Sequence, residues 1–436
     1  MDLNTRTLAT RQTPHPAFQG IRLNAIWLLL ARIITQAQLI LFTILVARSL
    51  GVTGFGQYAF VAALIVVGNV ATTFGTDTLL IREEARQRAV HDDAPLFARS
   101  AEGLIPSALL IQLMLSAAWL IFIGLGADIL SGQSAEVSLA LKISSLSLLP
   151  LAFFTVFTAV LRAHERMDVY FLLSGVVACV QLGGAWWVLH RDGNLLALVT
   201  VLNLVQVMAA ISAGLLCRLT LPAFHFDWSV SRRHLFRVAR LAWPFALLSV
   251  LAVIYQRLGI LMLSTSNGAM QAGWFAAAAR IIEPVKLLHF AVLGALLPAL
   301  ARLTADKATV QQNQAADIYR RSMLFLLMFS ALAAAGLIAL AQPIVMQLFG
   351  AAYVDAVPLV QILALSLIPY TFSASRSVQL VALGQERHVL WATAISLAVA
   401  FCLNGWLIPR FGVNGAAFTV VCSESVLATI LFVSRR

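Results

Sequence analysis

The chain has 436 residues, 60% of them hydrophobic and only 11% charged, with a formal net charge of +11. Soluble domains carry about 25% charged residues, so a water-soluble globular fold is excluded and an integral membrane protein is the default. In that class a basic excess belongs to cytoplasmic loops, so nucleic acid is not an expected partner.

The first twenty residues are polar, and the first apolar run starts near Leu23 without a cleavage site, so it serves as its own targeting signal. A spanning helix needs about 20 mostly apolar residues. Twelve stretches qualify: 23–47, 56–81, 100–124, 137–161, 169–190, 195–217, 241–263, 272–300, 321–341, 356–383, 388–408 and 413–433. Between the first two, "VARSLGVTGFGQYAF" reads as a tight outside turn. Gly51, Gly54 and Gly56 let the backbone reverse, and Tyr58 is expected at the membrane interface. Pro106, Pro150, Pro298 and Pro369 are expected to break helices mid-span. The longest inside loop joins the sixth and seventh spans. There Phe226, Trp228, Leu235 and Phe236 alternate with Arg232, Arg233, Arg237 and Arg240, which predicts an amphipathic helix on the inner leaflet, capped by Asp227 or Ser229. Cys179, Cys217, Cys402 and Cys422 sit in or beside apolar runs without metal-ligand spacing and read as packing residues.

With the N-terminus inside, 21 basic residues fall in inside loops and tails and three, Arg48, Arg191 and Arg410, fall outside. That asymmetry predicts a multi-pass membrane protein with both termini cytoplasmic.

The chain also repeats itself. "LSLLPLAF" (146–153) matches "LSLIPYTF" (365–372), and "GQYAFVAAL" (56–64) matches "GWFAAAARI" (273–281), at offsets of 219 and 217. Glu165-Arg166 is set against Glu386-Arg387. Each half holds six spans, so the copies share orientation, a transporter architecture. The expected fold is all-α, with twelve transmembrane helices in two six-helix lobes around a central cavity: an N-lobe over 1–220 and a C-lobe over 221–436.

The stretch from 45 to 88 carries Ala47-Arg48-x-Leu50-Gly51, Gly54-Phe55-Gly56-x-Tyr58, Phe74-Gly75 and Arg82-Glu83. It resembles the first two helices of the polysaccharide flippase family, within the multidrug/oligosaccharidyl-lipid/polysaccharide exporter superfamily. "LAWPFALLSVLAVIYQRLGILML" and "GWFAAAARI" resemble that family's seventh and eighth helices. One departure is Gly259, where the family often has an acidic residue. The resemblance implies a non-enzymatic flippase that moves a polyprenyl-diphosphate-linked glycan from the inner to the outer leaflet for O-antigen or exopolysaccharide synthesis. Membrane lipids and a polysaccharide polymerase machinery would be its partners.

Six basic residues lie within spans: Arg32, Lys142, Arg257, Arg280, Lys286 and Arg376. Each costs about 2.5–3.5 kcal/mol at bilayer depth, so a cavity, a partner or a use is expected. Arg32, Gln36 and Thr43 share a helix face, as do Asn69, Thr73, Thr76 and Asp77, and Ser249 and Gln256 with Arg257 beside them. Arg280, Glu283 and Lys286 are spaced by three, so Glu283 is able to pair with either base, and Pro284 predicts a kink there. The candidate cavity residues are Arg32, Gln36, Asp77, Arg257, Arg280, Glu283, Lys286 and Arg376, with Asp77 and Glu424 as candidate coupling carboxylates. The planar fork of Arg fits phosphate oxygens. Arg48, Arg82 and Lys142 lie near span ends, where long side chains snorkel. Glu102 reads as interfacial, and His289 as packing.

No nucleophile motif, phosphate loop or metal cluster is present, and no cofactor is expected. A cation-coupled multidrug exporter of the same superfamily is the alternative, but it calls for a net acidic cavity. A membrane glycan polymerase or ligase calls for large outside loops.

Overall fold

The computed structural model describes residues 16–90, 103–132, 134–191, 193–221, 230–305 and 309–433. Glu102, Phe226, Asp227, Trp228 and Ser229 lie outside them. Among the described residues the regular elements are all helical. They are α1 (Pro16–Thr73), α2 (Thr76–Val90), α3 (Leu104–Leu130), α4 (Ala135–Ser145), α5 (Leu148–Ala163), α6 (Met167–Leu189), α7 (Leu195–Thr220), α8 (Arg232–Ser266), α9 (Ala269–Ala305), α10 (Thr309–Leu348), a 3-10 turn (Ala351–Ala356), α11 (Val357–Leu365), α12 (Leu367–Ala382) and α13 (Glu386–Val433).

Twelve spans follow from these elements. Ile26–Thr73 and Glu386–Val433 are each apolar over 48 residues, about 72 Å at 1.5 Å per residue. A hydrocarbon core is about 30 Å thick. Each is therefore two spans, folded back at a glycine with positive φ: Gly51 (φ 68) and Gly412 (φ 55). Lipid-facing side chains such as Leu125 (80% exposed) and Leu332 (75%) fit only an apolar solvent.

Three predicted spans are not single helices. The 56–81 run breaks at Phe74 (φ 51) and Gly75 (φ 65), so the stripe Asn69–Thr73–Thr76–Asp77 does not face one way. Instead, buried Thr76 accepts a 2.8 Å hydrogen bond from Gln112 of α3. The 137–161 and 356–383 runs break at Ser147 and Ser366. Each serine hydroxyl donates to the carbonyl three residues back, at 2.6 Å. Pro150 and Pro369 then fall in the first turn of α5 and α12, where a missing N–H costs nothing. Pro106 likewise sits in the first turn of α3, whereas Pro284 and Pro298 lie inside an unbroken α9.

The repeat is visible in the turns. α5 ends with Glu165 at φ 56 and Arg166 N–H donating to Leu161 O at 3.0 Å. α12 ends with Gly384 at φ 69 and Gln385 N–H donating to Leu380 O at 2.8 Å. These are equivalent helix-ending turns, so Glu165 pairs with Gly384, and the sequence pairing with Glu386-Arg387 is out by two residues.

No separate amphipathic helix precedes the seventh span among the described residues. The arginines occupy the first turns of α8 itself, whose N-cap is Ser231, with its side chain accepting from Arg233 N–H.

At the end bearing the Gly51, Gly268 and Gly412 turns, here the hairpin end, one continuous core joins the lobes. It runs from Phe42, Val46 and Phe55 to Phe275, Phe349 and Leu359. At the opposite, arginine-rich end the core is divided into smaller clusters, the first of them shared between the lobes through α8. One holds Leu109, Val156 and Leu161, joined by Val238 and Ala242 of α8. The others hold Leu293 with Leu326, and Leu380 with Leu431.

Candidate functional site

The lobes touch most closely at the hairpin end, through glycines. A Cβ on Gly56 would lie 1.7 Å from the carbonyl oxygen of Ala269, and one on Gly273 would lie 2.3 Å from that of Val52. Gly56 and Gly273 are repeat mates at the offset of 217, and so are Val52 and Ala269 and the two turn glycines Gly51 (φ 68) and Gly268 (φ 88). The contact is reciprocal about the axis relating the lobes. Arg48, expected to snorkel, donates instead to the carbonyls of Gln347 and Leu348 at the C-terminus of α10. Tyr353 donates to Ala47 O at 2.9 Å across the same seam.

Beneath this contact lies a small enclosed pocket between the lobes, of about 40 Å³, room for about one water. α1 contributes Phe42, Thr43 and Tyr58, α8 contributes Arg257, and α9 contributes Arg280 and Glu283. Arg280 pairs with Glu283 at 2.6 Å and Arg257 with the other carboxylate oxygen at 3.7 Å. Two bases thus share one acid in a half-buried setting. The acid that the resemblance leads one to expect on α8 would crowd Phe275. Gly259 is buried, and a Cβ there would stand 3.0 Å from the ring of Phe275. The carboxylate comes from α9 instead.

Lys286 is not part of this group. Residues 280 and 286 lie about 120° apart around a helix with 3.6 residues per turn, so they flank Glu283 on different sides. The Lys286 ammonium sits 4.4 Å over the ring of Tyr370 in the second lobe. Arg32 reaches across the lobes elsewhere, with its guanidinium 3.7 Å from the centre of the Phe290 ring on α9. Gln36 is half-buried on the same helix. Asp77 stays within the first lobe, 4.0 Å from Arg162. Arg376 does not join the pocket; it donates to Leu431 O at 3.2 Å and to Gln379. Glu424 is 6% exposed inside the second lobe and accepts from Ser373 at 3.2 Å. Lys142, near the hairpin end, pairs with Asp128 at 3.3 Å.

Sequence reasoning missed two features. Tyr58 lines the pocket rather than the membrane interface, because the glycine contact beside it turns that helix face toward α9. His289 is fully buried and is more than packing. Its Nε2 lies 2.9 Å from Ser330 Oγ and 2.8 Å from Thr371 Oγ1, tying α9, α10 and α12 together. The Ser and Thr partners come from distant stretches, so no local signal marks them. Among the described residues no three His, Cys, Asp or Glu side chains converge as metal ligands do.

Solved structures share the fold. The chain matches a multidrug resistance MATE family transporter of the MOP superfamily in its inward-facing conformation, at TM-score 0.74 and 16% identity, over 94% of this chain and 97% of that one. It matches the lipid II flippase MurJ in an inward closed conformation at TM-score 0.74 and 14% identity, over 94% and 87%. The outward-facing conformation of a MATE family transporter fits less well, at TM-score 0.65 and 15% identity, over 95% and 94%. No curated protein matches the chain. A family model described as "Polysaccharide biosynthesis protein" matches residues 21–304, well over half of the sequence. The chain therefore belongs to the polysaccharide biosynthesis protein family, built on the two-lobed fold of the MOP superfamily.

Proposed function

We propose that this protein flips a polyprenyl-diphosphate-linked oligosaccharide from the inner to the outer leaflet of the plasma membrane by alternating access. The observation that carries the reading is the Arg257–Glu283–Arg280 group, which sits at the seam of the lobes directly under their hairpin-end contact. Its balance is basic, and Arg32 adds a third cation at the same seam. An anionic diphosphate suits such a site, whereas a cationic drug does not. The pocket has no space for a glycan, so this is a state closed over the charges, and transport requires the lobes to part there. The better match to inward-facing relatives supports assigning the closed hairpin end to the outside. Both termini are then cytoplasmic, and the lobes divide at 220/221.

Within this reading Arg32, Gln36, Arg257, Arg280 and Glu283 line the path. Asp77 and Glu424 are the carboxylates available for coupling to a cation gradient, one in each lobe. Lys286 and Arg376 stand behind the path and order the second lobe. Reconstitution tests the reading. Vesicles holding the protein and a fluorescent prenyl-diphosphate sugar should lose inner-leaflet label to an impermeant quencher outside, and Arg257→Ala should abolish that loss at normal insertion. Equal flipping by parent, Arg257→Ala and empty vesicles would sink it.

A further inference from the structure

At the arginine-rich end, the far side from the glycine contact, α2 of the first lobe meets the start of α8. Between them is a cavity of about 610 Å³ lined by Leu79, Arg82, Glu83, Phe236, Arg237 and Arg240. That volume falls within the roughly 300–1,000 Å³ of small-molecule sites. Arg237 and Arg240 are three apart and so share a face of α8. Arg82 and Glu83 approach from the other lobe. Arg237 lies 3.9 Å from Glu83, its side chain 61% exposed. Arg82 and Arg240 are exposed and have no ion-pair partner among the described residues. Phe236 (75% exposed) and Leu241 (41%) bring an apolar rim to the same opening.

We infer that this cavity is a separate loading site for the diphosphate of a prenyl-linked sugar lying in the inner leaflet, used before the cargo reaches the seam under the glycines. The inference rests on the flippase reading. Three guanidiniums against one carboxylate leave a charge of +2, the complement of the two negative charges on a diphosphate diester. A phospholipid phosphodiester with one charge leaves half of it unmet. Guanidiniums from two directions suit two phosphates, since each presents a planar fork to oxygen pairs. The rim of Phe236 and Leu241 places the first isoprene units at the edge of the hydrocarbon. The weak Arg237–Glu83 contact is the one bond the headgroup displaces. It is a polar tie between the lobes beside the packing of Val238 and Ala242 into the first lobe's core, so loading removes that tie and leaves the packing in place.

Binding and flipping measured on one preparation test this. The probe is farnesyl-diphosphate-linked N-acetylglucosamine, titrated against protein in nanodiscs of neutral lipid. The double variant Arg82→Gln/Arg240→Gln should weaken binding by about tenfold. In vesicles it should raise the KM for flipping by a similar factor while leaving the saturated rate within twofold. Glu83→Gln, which removes the one acid, should tighten binding several-fold. Parent-like binding and KM in the double variant, or unchanged affinity in Glu83→Gln, overturns the loading site. Short-chain phosphatidylglycerol should compete at least tenfold less well than the probe; equal competition overturns the assignment to a diphosphate. Binding in this pattern without any flipping by the parent protein refutes the flippase reading and leaves the site standing.

Discussion

Arg48 belongs to the first lobe and Leu348 to the second, and the guanidinium Nε of Arg48 donates to the carbonyl oxygen of Leu348 at 2.9 Å. Leu348 ends α10, where carbonyls lack helical partners and the helix dipole is negative. A cation there answers both needs. The tie is one-sided: the residue 217 positions later is Thr265, whose hydroxyl bonds back to Leu261 of its own helix.

Loss of that tie should loosen the closed hairpin end. A hydrogen bond to a charged group contributes about 1.5–3 kcal/mol, equivalent to a tenfold or larger shift between two states. Spin labels on exposed Thr53 and Ala351, in a background without the four cysteines, should give one short distance in the parent. Arg48→Gln should add a longer one. An unchanged single distribution would show that the apolar core alone holds this end shut.

The glycines make a sharper case. A single methyl on Gly56 or Gly273 meets a carbonyl of the other lobe at 1.7 or 2.3 Å, and backbone cannot swing aside as a side chain can. Gly56→Ala and Gly273→Ala should each cut flipping at least tenfold while insertion stays normal, because the closed state is lost. Gly336→Ala is the control. It lies in α10 with nothing within 4 Å of its would-be Cβ, and alanine favours a helix, so it should retain full transport. Equal effects at all three positions would remove the lobe contact from the mechanism.

What the sequence disclosed and what it hid divide along physical lines. Spans and their breaks are local. Apolar runs of helix length gave the twelve spans, while the mid-span breaks expected at Pro150 and Pro369 fall three residues earlier, at Ser147 and Ser366, because each proline sits in the first turn of the helix that follows. Pairings across the lobes are not local. Glu283 has Arg280 and Lys286 as helix neighbours, yet its second partner is Arg257 of α8, which packs against it only once the repeat has folded. Arg376 reads as a path residue from its depth, but the α13 carbonyl that it caps is invisible until the helices are assembled.

Topology remains a direct experiment. The 21-to-3 distribution of basic residues predicts that Arg191, in the turn after α6, and Arg436, at the C-terminus, face opposite sides. A reporter active only outside should work when fused at Arg191 and fail when fused at Arg436. The same signal at both positions would mean an odd number of spans between them is wrong.

The last prediction concerns the shared carboxylate. Glu283 holds Arg280 at 2.6 Å and Arg257 at 3.7 Å, so it is bound more closely by its own helix than by α8. On the flippase reading proposed above, a substrate diphosphate entering the seam competes with Glu283 for both bases, and the longer contact is the one to yield first. Arg257 then turns to the phosphate while Arg280 keeps the acid. When the lobes part at the hairpin end, the acid can recover Arg257 and expel the anion. Alternating access needs two states with different contacts, and this exchange supplies them. Glu283→Gln leaves two bases uncompensated, so a prenyl-diphosphate sugar should bind at least as tightly as in the parent while flipping falls at least tenfold through slow release. Lys286→Met should leave binding within twofold, since Lys286 faces Tyr370 and not the acid. A purely structural clasp predicts otherwise: in Glu283→Gln, protein level, binding and flipping would fall together. Titration and vesicle flipping on one preparation separate the two cases, and a parallel loss would sink the exchange.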